Sequence, residues 1–278
     1  MKISAILCLL MAAWLCFAPS ATPTQLTEQE ILRRIGVDEK PGTRIPLDLA
    51  FTDDQGRAVT LGDYFTGEPV ILTLNYYSCP MLCPLTFRNL IMTMGEIQGL
   101  SLERDFRIVT VSIDPEETLQ RAREKVAETH GMLQGGAAPG DRWRFLFGRE
   151  PEIERLAGSV GYRYLRLGTN NFAHPSVLMV LTPDGRIARY LYGLELKPRD
   201  LKLALIEASD GKIGGSSVMN RVLLYCFHYD PAGRKYSLAA VNIMKLAGAV
   251  LLLLLGVLFL SLWRQEKRRS AGQTKDIP

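Results

Sequence analysis

Short apolar runs alternate with amphipathic ones along most of this chain. Val70 to Tyr76 is rich in β-formers and apolar almost throughout, which predicts a buried central strand. Leu85 to Ile97 then repeats apolar residues at helical spacing, predicting an amphipathic helix. Phe106 to Ile113 alternates and stops at Asp114-Pro115, a second strand. Glu116 to Thr129, charged along one side, predicts a helix; Gly135 to Gly140 a turn; Trp143 to Phe147 a strand; Glu150 to Val160 a helix. Val177 to Leu181 and Arg186 to Tyr192 flank the turn Thr182-Pro183-Asp184-Gly185, predicting a β-hairpin, and Leu201 to Ala208 a closing helix. Upstream, Leu26 to Ile35 predicts a short helix. Ile45 to Phe51 and Arg57 to Leu61 predict two strands around Asp53-Asp54-Gln55-Gly56.

Parallel β-α-β followed by an antiparallel hairpin and a helix is the thioredoxin-like arrangement. The expected class is therefore α/β, a thioredoxin-like fold with an N-terminal β-hairpin extension, plus one C-terminal transmembrane helix. The ends supply the address. Ile3 to Ala18 is an apolar run behind Lys2, and Ala18-Pro19-Ser20 places small residues after it. This predicts a signal peptide over 1–21, removed with Cys8 and Cys16, against the alternative of an uncleaved anchor. Trp14-Leu15 before Cys16 is a poor lipoprotein signal. Leu246 to Trp263 is uncharged and, with the residues from Leu238, long enough to cross a bilayer over 238–263. Arg264, Lys267, Arg268 and Arg269 follow, so the positive-inside rule places the tail 264–278 in the cytoplasm. The domain, expected over 44–210 after a connector 22–43 and before a juxtamembrane segment 211–237, then faces the outside of an inner membrane. In a bacterium that is the oxidising periplasm. The chain has 278 residues and a net charge of +4, part of it in the tail, so nucleic acid is not an expected partner.

The candidate chemistry lies in Tyr76-Tyr77-Ser78-Cys79-Pro80-Met81-Leu82-Cys83-Pro84, between a predicted strand and a predicted helix. Helix N-termini favour thiolate over thiol, and a thiolate is both a nucleophile and a soft metal ligand. A C-x-x-C pair here would indicate thioredoxin-type redox chemistry, but three residues intervene. On one helical turn, side chains four apart have Cβ atoms about 5–6 Å apart. That lets two sulfurs hold one metal ion, and with relaxation permits a disulfide, which needs about 3.5–4.5 Å. Pro84 suits a first helical turn, where its missing N–H is not needed.

With the cysteine pair, Val111-Ser112-Ile113-Asp114-Pro115-Glu116, and Phe172-Ala173-His174 before Leu181-Thr182-Pro183-Asp184-Gly185, the chain resembles the SCO/SenC family. The resemblance covers roughly Pro46 to Ser209. It implies a membrane-anchored, thioredoxin-like protein that delivers copper to the dinuclear copper site of cytochrome c oxidase subunit II. It places the copper ligands on Cys79, Cys83 and His174, a soft set suited to Cu(I) and able to take Cu(II). Partners implied are subunit II and, upstream, another copper chaperone or a thiol reductant. Three departures matter. The family often has Asp before this histidine, where this chain has Ala173. Pro175 invites comparison with the cis-proline facing the cysteines of thioredoxins. Asp114 either orients the copper loop, as a secondary site residue, or caps the following helix. His130, at the end of a charged helix, reads as solvent-exposed.

Between the domain and the membrane helix lies Tyr225-Cys226-Phe227-His228-Tyr229. In an extended chain Cys226 and His228 share a face, as secondary copper ligands or as incidental members of an aromatic interface segment. Two functions remain. A copper carrier turns over no bond and needs His174. A thiol–disulfide oxidoreductase or redox sensor, keeping the oxidase's cysteines reduced, needs Cys79 and Cys83 but not His174. The paired cysteines disfavour a peroxidase with one activated cysteine.

Overall fold

The computed structural model describes residues 27–79, 82–133, 140–192, 196–210, 227–230, 235–238 and 240–273, with the backbone alone for 82–83, 227–230, 235–238, 240–243, 246 and 265–273. The expected signal peptide, the expected turn over 135–139 and Cys226 lie outside the described residues.

The centre is a seven-stranded mixed sheet. Strand β4 (Val70–Asn75) is buried at every position. It pairs in parallel with β5 (Arg107–Ser112), which pairs in parallel with β6 (Trp143–Phe147). On the other side of β4 lies β10 (Val177–Leu181), antiparallel, and beyond it β11 (Ile187–Tyr192). Helix α2 (Leu82–Glu96) makes the crossover from β4 to β5, α3 (Leu119–Gly131) that from β5 to β6, and α5 (Pro198–Ala208) closes the domain. Strands buried on both faces explain why β4 and β10 read as apolar runs rather than as alternations. Thr73 and Thr110 sit inside this sheet because they satisfy one another at 2.9 Å, and Trp143 Nε1–H donates to Thr110 at 3.0 Å.

The N-terminal hairpin is present, shorter than expected. Strands β2 (Ala50–Asp53) and β3 (Ala58–Thr60) add to the far edge beside β6. Residues 45–49 are not strand: Pro46 breaks the run. Ile45 and Leu49 instead plug the core, with Ile45 N–H donating to the Gly185 carbonyl. Before them, α1 (Glu28–Arg34) opens with a capping box on Thr27, and β1 (Gly36–Val37) follows. The pattern of the sequence left residues 161–176 unassigned. They form α4's exit and three short strands: α4 (Glu150–Ser159) leads to β7 (Tyr162–Arg163), paired with β1, then to the hairpin β8 (Leu165–Gly168) and β9 (Asn171–Ala173).

Past the domain, β12 (Phe227–Asp230) pairs with β13 (Lys235–Leu238), and α6 runs Ala240–Gln273. Its window Ala247–Arg264 has a mean hydropathy of 2.1 and is wholly unburied.

Candidate metal site

Cys79 leaves the sheet where β4 ends. The chain turns at once, with Cys79 N–H donating to the Tyr76 carbonyl at 3.2 Å. The Tyr77 ring turns inward, its hydroxyl 2.5 Å from the Leu146 carbonyl. Its backbone N–H donates to Glu117 at 3.0 Å. Cys79 is buried, at 6 % exposure. Cys83 lies in the first turn of α2, and its side chain is outside the described residues.

His174 follows β9 and is 9 % exposed. Its Nδ1 lies 2.9 Å from the Tyr162 hydroxyl and 3.1 Å from the Pro175 carbonyl. A carbonyl only accepts, so Nδ1 carries the ring proton. Tyr162 is then the acceptor from Nδ1 and donates its own proton to the Leu74 carbonyl at 2.8 Å or to that of Pro175 at 3.0 Å. This tautomer leaves the lone pair on Nε2, the nitrogen a metal would take. Tyr76 packs edge-on against the imidazole at 5.7 Å between centroids.

Two links join the segments that carry these residues. Tyr162 ties His174 to Leu74, near the end of β4. Thr86 Oγ1, one turn beyond Cys83, lies 3.3 Å from Ser176 Oγ, two residues beyond His174. The antiparallel register of β10 on β4 explains both: β10 starts where β4 stops, so the loop before one meets the loop after the other. Open α/β sheets bind ligands at such carboxyl ends of parallel strands.

A family model described as SCO1/SenC matches residues 37–207. The chain belongs to the SCO1/SenC family. Its fold is accordingly the thioredoxin-like fold of Sco proteins. Among solved structures, a candidate electron transfer protein from Aquifex aeolicus is 26 % identical with a TM-score of 0.53, covering 61 % of this chain and 94 % of that one. A candidate electron transport protein from the same organism is 25 % identical with a TM-score of 0.51, covering 61 % and 98 %. Copper-bound ScoI of Arabidopsis thaliana is 23 % identical with a TM-score of 0.48, covering 61 % and 98 %. No curated protein matches the chain in sequence.

Several residues of this SCO1/SenC chain stand differently from expectation. Asp114 does not cap α3; Thr118 does, accepting from Arg121 N–H at 3.3 Å. Pro115 and the bond from Glu116 N–H to Asp114 Oδ1 (3.0 Å) hold residues 114–117 in a turn, so the helix starts only at Leu119. Asp114 is fully buried behind the cysteine loop. His130 is not solvent-exposed. It is partly buried against Trp143 and Phe145, 6.4 and 6.3 Å between ring centroids, because the last turn of α3 folds onto β6. Burial lowers its pKa, with Arg144 acting the same way and Asp54 opposing. No cis peptide bond occurs among the described residues, so Pro175 does not copy the thioredoxin geometry. His228 falls in β12, its side chain outside the described residues.

Sequence reasoning missed two residues of this site. Tyr162 bonds His174 Nδ1, where Ala173 offers no polar side chain; a lone tyrosine in an unassigned stretch carries no signal of this. Glu117 is buried against the cysteine loop, and burial pushes its carboxyl above the usual range, with Asp114 adding to the effect and the bonds from Tyr77 and Ser112 opposing it.

Proposed function

We propose that this protein is a membrane-anchored copper carrier outside the cytoplasmic membrane, which passes copper to subunit II of cytochrome c oxidase during assembly. Sco proteins are copper-binding factors of cytochrome oxidase assembly, and relatives from Arabidopsis thaliana and Bradyrhizobium japonicum have been solved with copper bound. The observation that carries the reading is the paired tether, Tyr162 to Leu74 and Ser176 to Thr86. It supports a site in which His174, with its lone pair on Nε2, works with the loop that holds Cys79 and the first turn of α2, where Cys83 lies. Two thiolates and one imidazole are a soft, low-coordinate set for Cu(I). Copper bound this way can leave by ligand exchange, one sulfur or nitrogen of the acceptor replacing one of the carrier at each step. The cysteines must be reduced for this. Helix α6, about 50 Å long at 1.5 Å per residue, exceeds the roughly 30 Å of a bilayer core. Residues 238–263 serve as the anchor, the basic tail 264–278 stays in the cytoplasm, and the signal segment 1–21 is removed.

The test uses the full chain in detergent, reduced and anaerobic, titrated with Cu(I) against a competing chelator beside His174→Ala. The expected result is one-to-one binding, weakened by about 10–100-fold in the variant. Binding indifferent to His174 would overturn the three-ligand site and leave a thiol–disulfide oxidoreductase working through Cys79 and Cys83.

A further inference from the structure

Glu117 is no ligand, yet it reaches the loop that carries one. Its Oε2 accepts from the N–H of Tyr77 at 3.0 Å, across 40 positions of sequence. The same oxygen accepts from the Ser112 hydroxyl at 3.0 Å, and Ser112 Oγ accepts from Asp114 N–H at 3.2 Å. Glu117 N–H donates to the Asp114 carbonyl at 3.2 Å, closing the ring of bonds. The residue is 7 % exposed. Its Oε1 and the Oδ2 of Asp114 are buried without a hydrogen-bond partner among the described residues.

Such an arrangement is costly, because a buried polar oxygen loses water and gains nothing. An apolar side chain would fill the space without that cost. What an apolar side chain cannot do is hold Tyr77 N–H. Tyr77 is fixed at its far end too, by the hydroxyl at Leu146. With both ends held, the turn to Cys79 starts from a fixed point.

We infer that Glu117 is a positioning residue for the metal ligands: through Tyr77 N–H it sets where Cys79 Sγ stands relative to the start of α2. This rests on the copper-carrier reading for its purpose, though not for its geometry. The reach of the side chain and its acceptor oxygen carry the effect, and the negative charge does not. Glutamine keeps reach and acceptor. Aspartate keeps charge and acceptor but is one methylene too short.

The experiment compares Glu117→Gln, Glu117→Asp and Glu117→Ala in the full chain. Two readouts are taken: the rate at which iodoacetamide alkylates Cys79 in the reduced, copper-loaded-never protein, located by peptide mass, and Cu(I) affinity against a chelator. Glu117→Gln is expected within about twofold of the parent in both, while Glu117→Asp and Glu117→Ala alkylate faster and bind copper about tenfold more weakly. Melting curves accompany each variant. The inference is overturned if Asp and Ala match the parent, if Gln falls as far as they do, or if the changes merely track a lowered melting temperature. A parent chain that binds no copper would sink the copper reading alone, since the alkylation rates still decide the role of Glu117.

Discussion

Tyr162 shows how much one oxygen settles at this site. It lies within hydrogen-bond reach of Leu74, His174 and Pro175. Tyr162→Phe removes the bonds and keeps the ring. The Leu74 carbonyl and His174 Nδ1 lose a partner in a buried place, at a cost of about 1–3 kcal/mol. The imidazole also loses part of what fixes its tautomer and angle. Thermal unfolding of the full chain should show the stability loss, and chelator competition a copper affinity about 10–100-fold lower. A variant with unchanged affinity would mean that Pro175 alone orients the ring. His130 gives a second prediction at this scale. Its folded pKa lies below the ordinary histidine value of about 6.5, so the folded state favours the neutral ring. The unfolded chain takes up the proton first as pH falls. Stability is therefore full above pH 6.5 and declines below it. Asp54 favours the charged ring, Arg144 the neutral one, and burial outweighs both. Between about pH 7 and pH 5 the fall in melting temperature should be smaller in His130→Phe than in the parent. An identical slope in the two proteins would refute the assignment.

At the scale of elements, the ladder of β1 and β7 decides where Tyr162 stands. Its critical position is Gly161, whose carbonyl accepts from Asp38 N–H at 2.8 Å. Gly161 has φ +66°, and a Cβ there would lie 1.9 Å from the Asp38 carbonyl oxygen. That clash is with backbone, so it cannot be relieved by turning a side chain. Gly161→Ala must therefore open the β1–β7 pairing or move residue 162. The expected cost is at least about 1–3 kcal/mol of stability, with weaker copper binding because the Tyr162 hydroxyl shifts. Thermal unfolding and the copper titration check both parts. Loss of stability with intact copper affinity would show that Tyr162 keeps its place without the ladder. The hairpin β8–β9 matters in the same way. It brings the chain back so that His174 arrives just before β10, with Tyr76 packed on Phe172 at 5.3 Å.

At the scale of the molecule, the domain and the helix α6 have opposite surfaces. The domain encloses its apolar side chains around the sheet. Helix α6 leaves Leu252 at 71 % and Phe259 at 69 % exposure, with apolar residues on every face. Such a surface fits the membrane anchor proposed for it. A chain ended before Ala240 should appear in the soluble fraction, whereas the full chain should resist carbonate extraction from membranes. If the shortened chain stayed in the membrane, the N-terminal apolar run would be a second, uncleaved anchor.

Much of this was legible in the sequence. Strands β4 and β10 were readable as apolar runs, and β5 and β6 as short stretches of β-formers bounded by turn residues, all of them local properties. The strand-to-helix boundary that carries Cys79 and Cys83 was readable because it is local too. The long apolar helix at the C-terminal end was legible from length and composition alone. What only the tertiary structure decided were the residues whose partners are distant. Tyr162 reaches Leu74 over 88 positions, and Glu117 reaches Tyr77 over 40. Hydrogen bonds of that range leave no periodicity. The short strands β7 to β9 leave none either, since two to four residues are too few to show one. His130 misled for the same reason: the charges of its helix describe one face, and only the packing of α3 on β6 reveals the other. The sequence determines which groups can bind a soft metal and which segments can form a sheet. The fold determines which distant groups meet, and which ring nitrogen of His174 faces Tyr162.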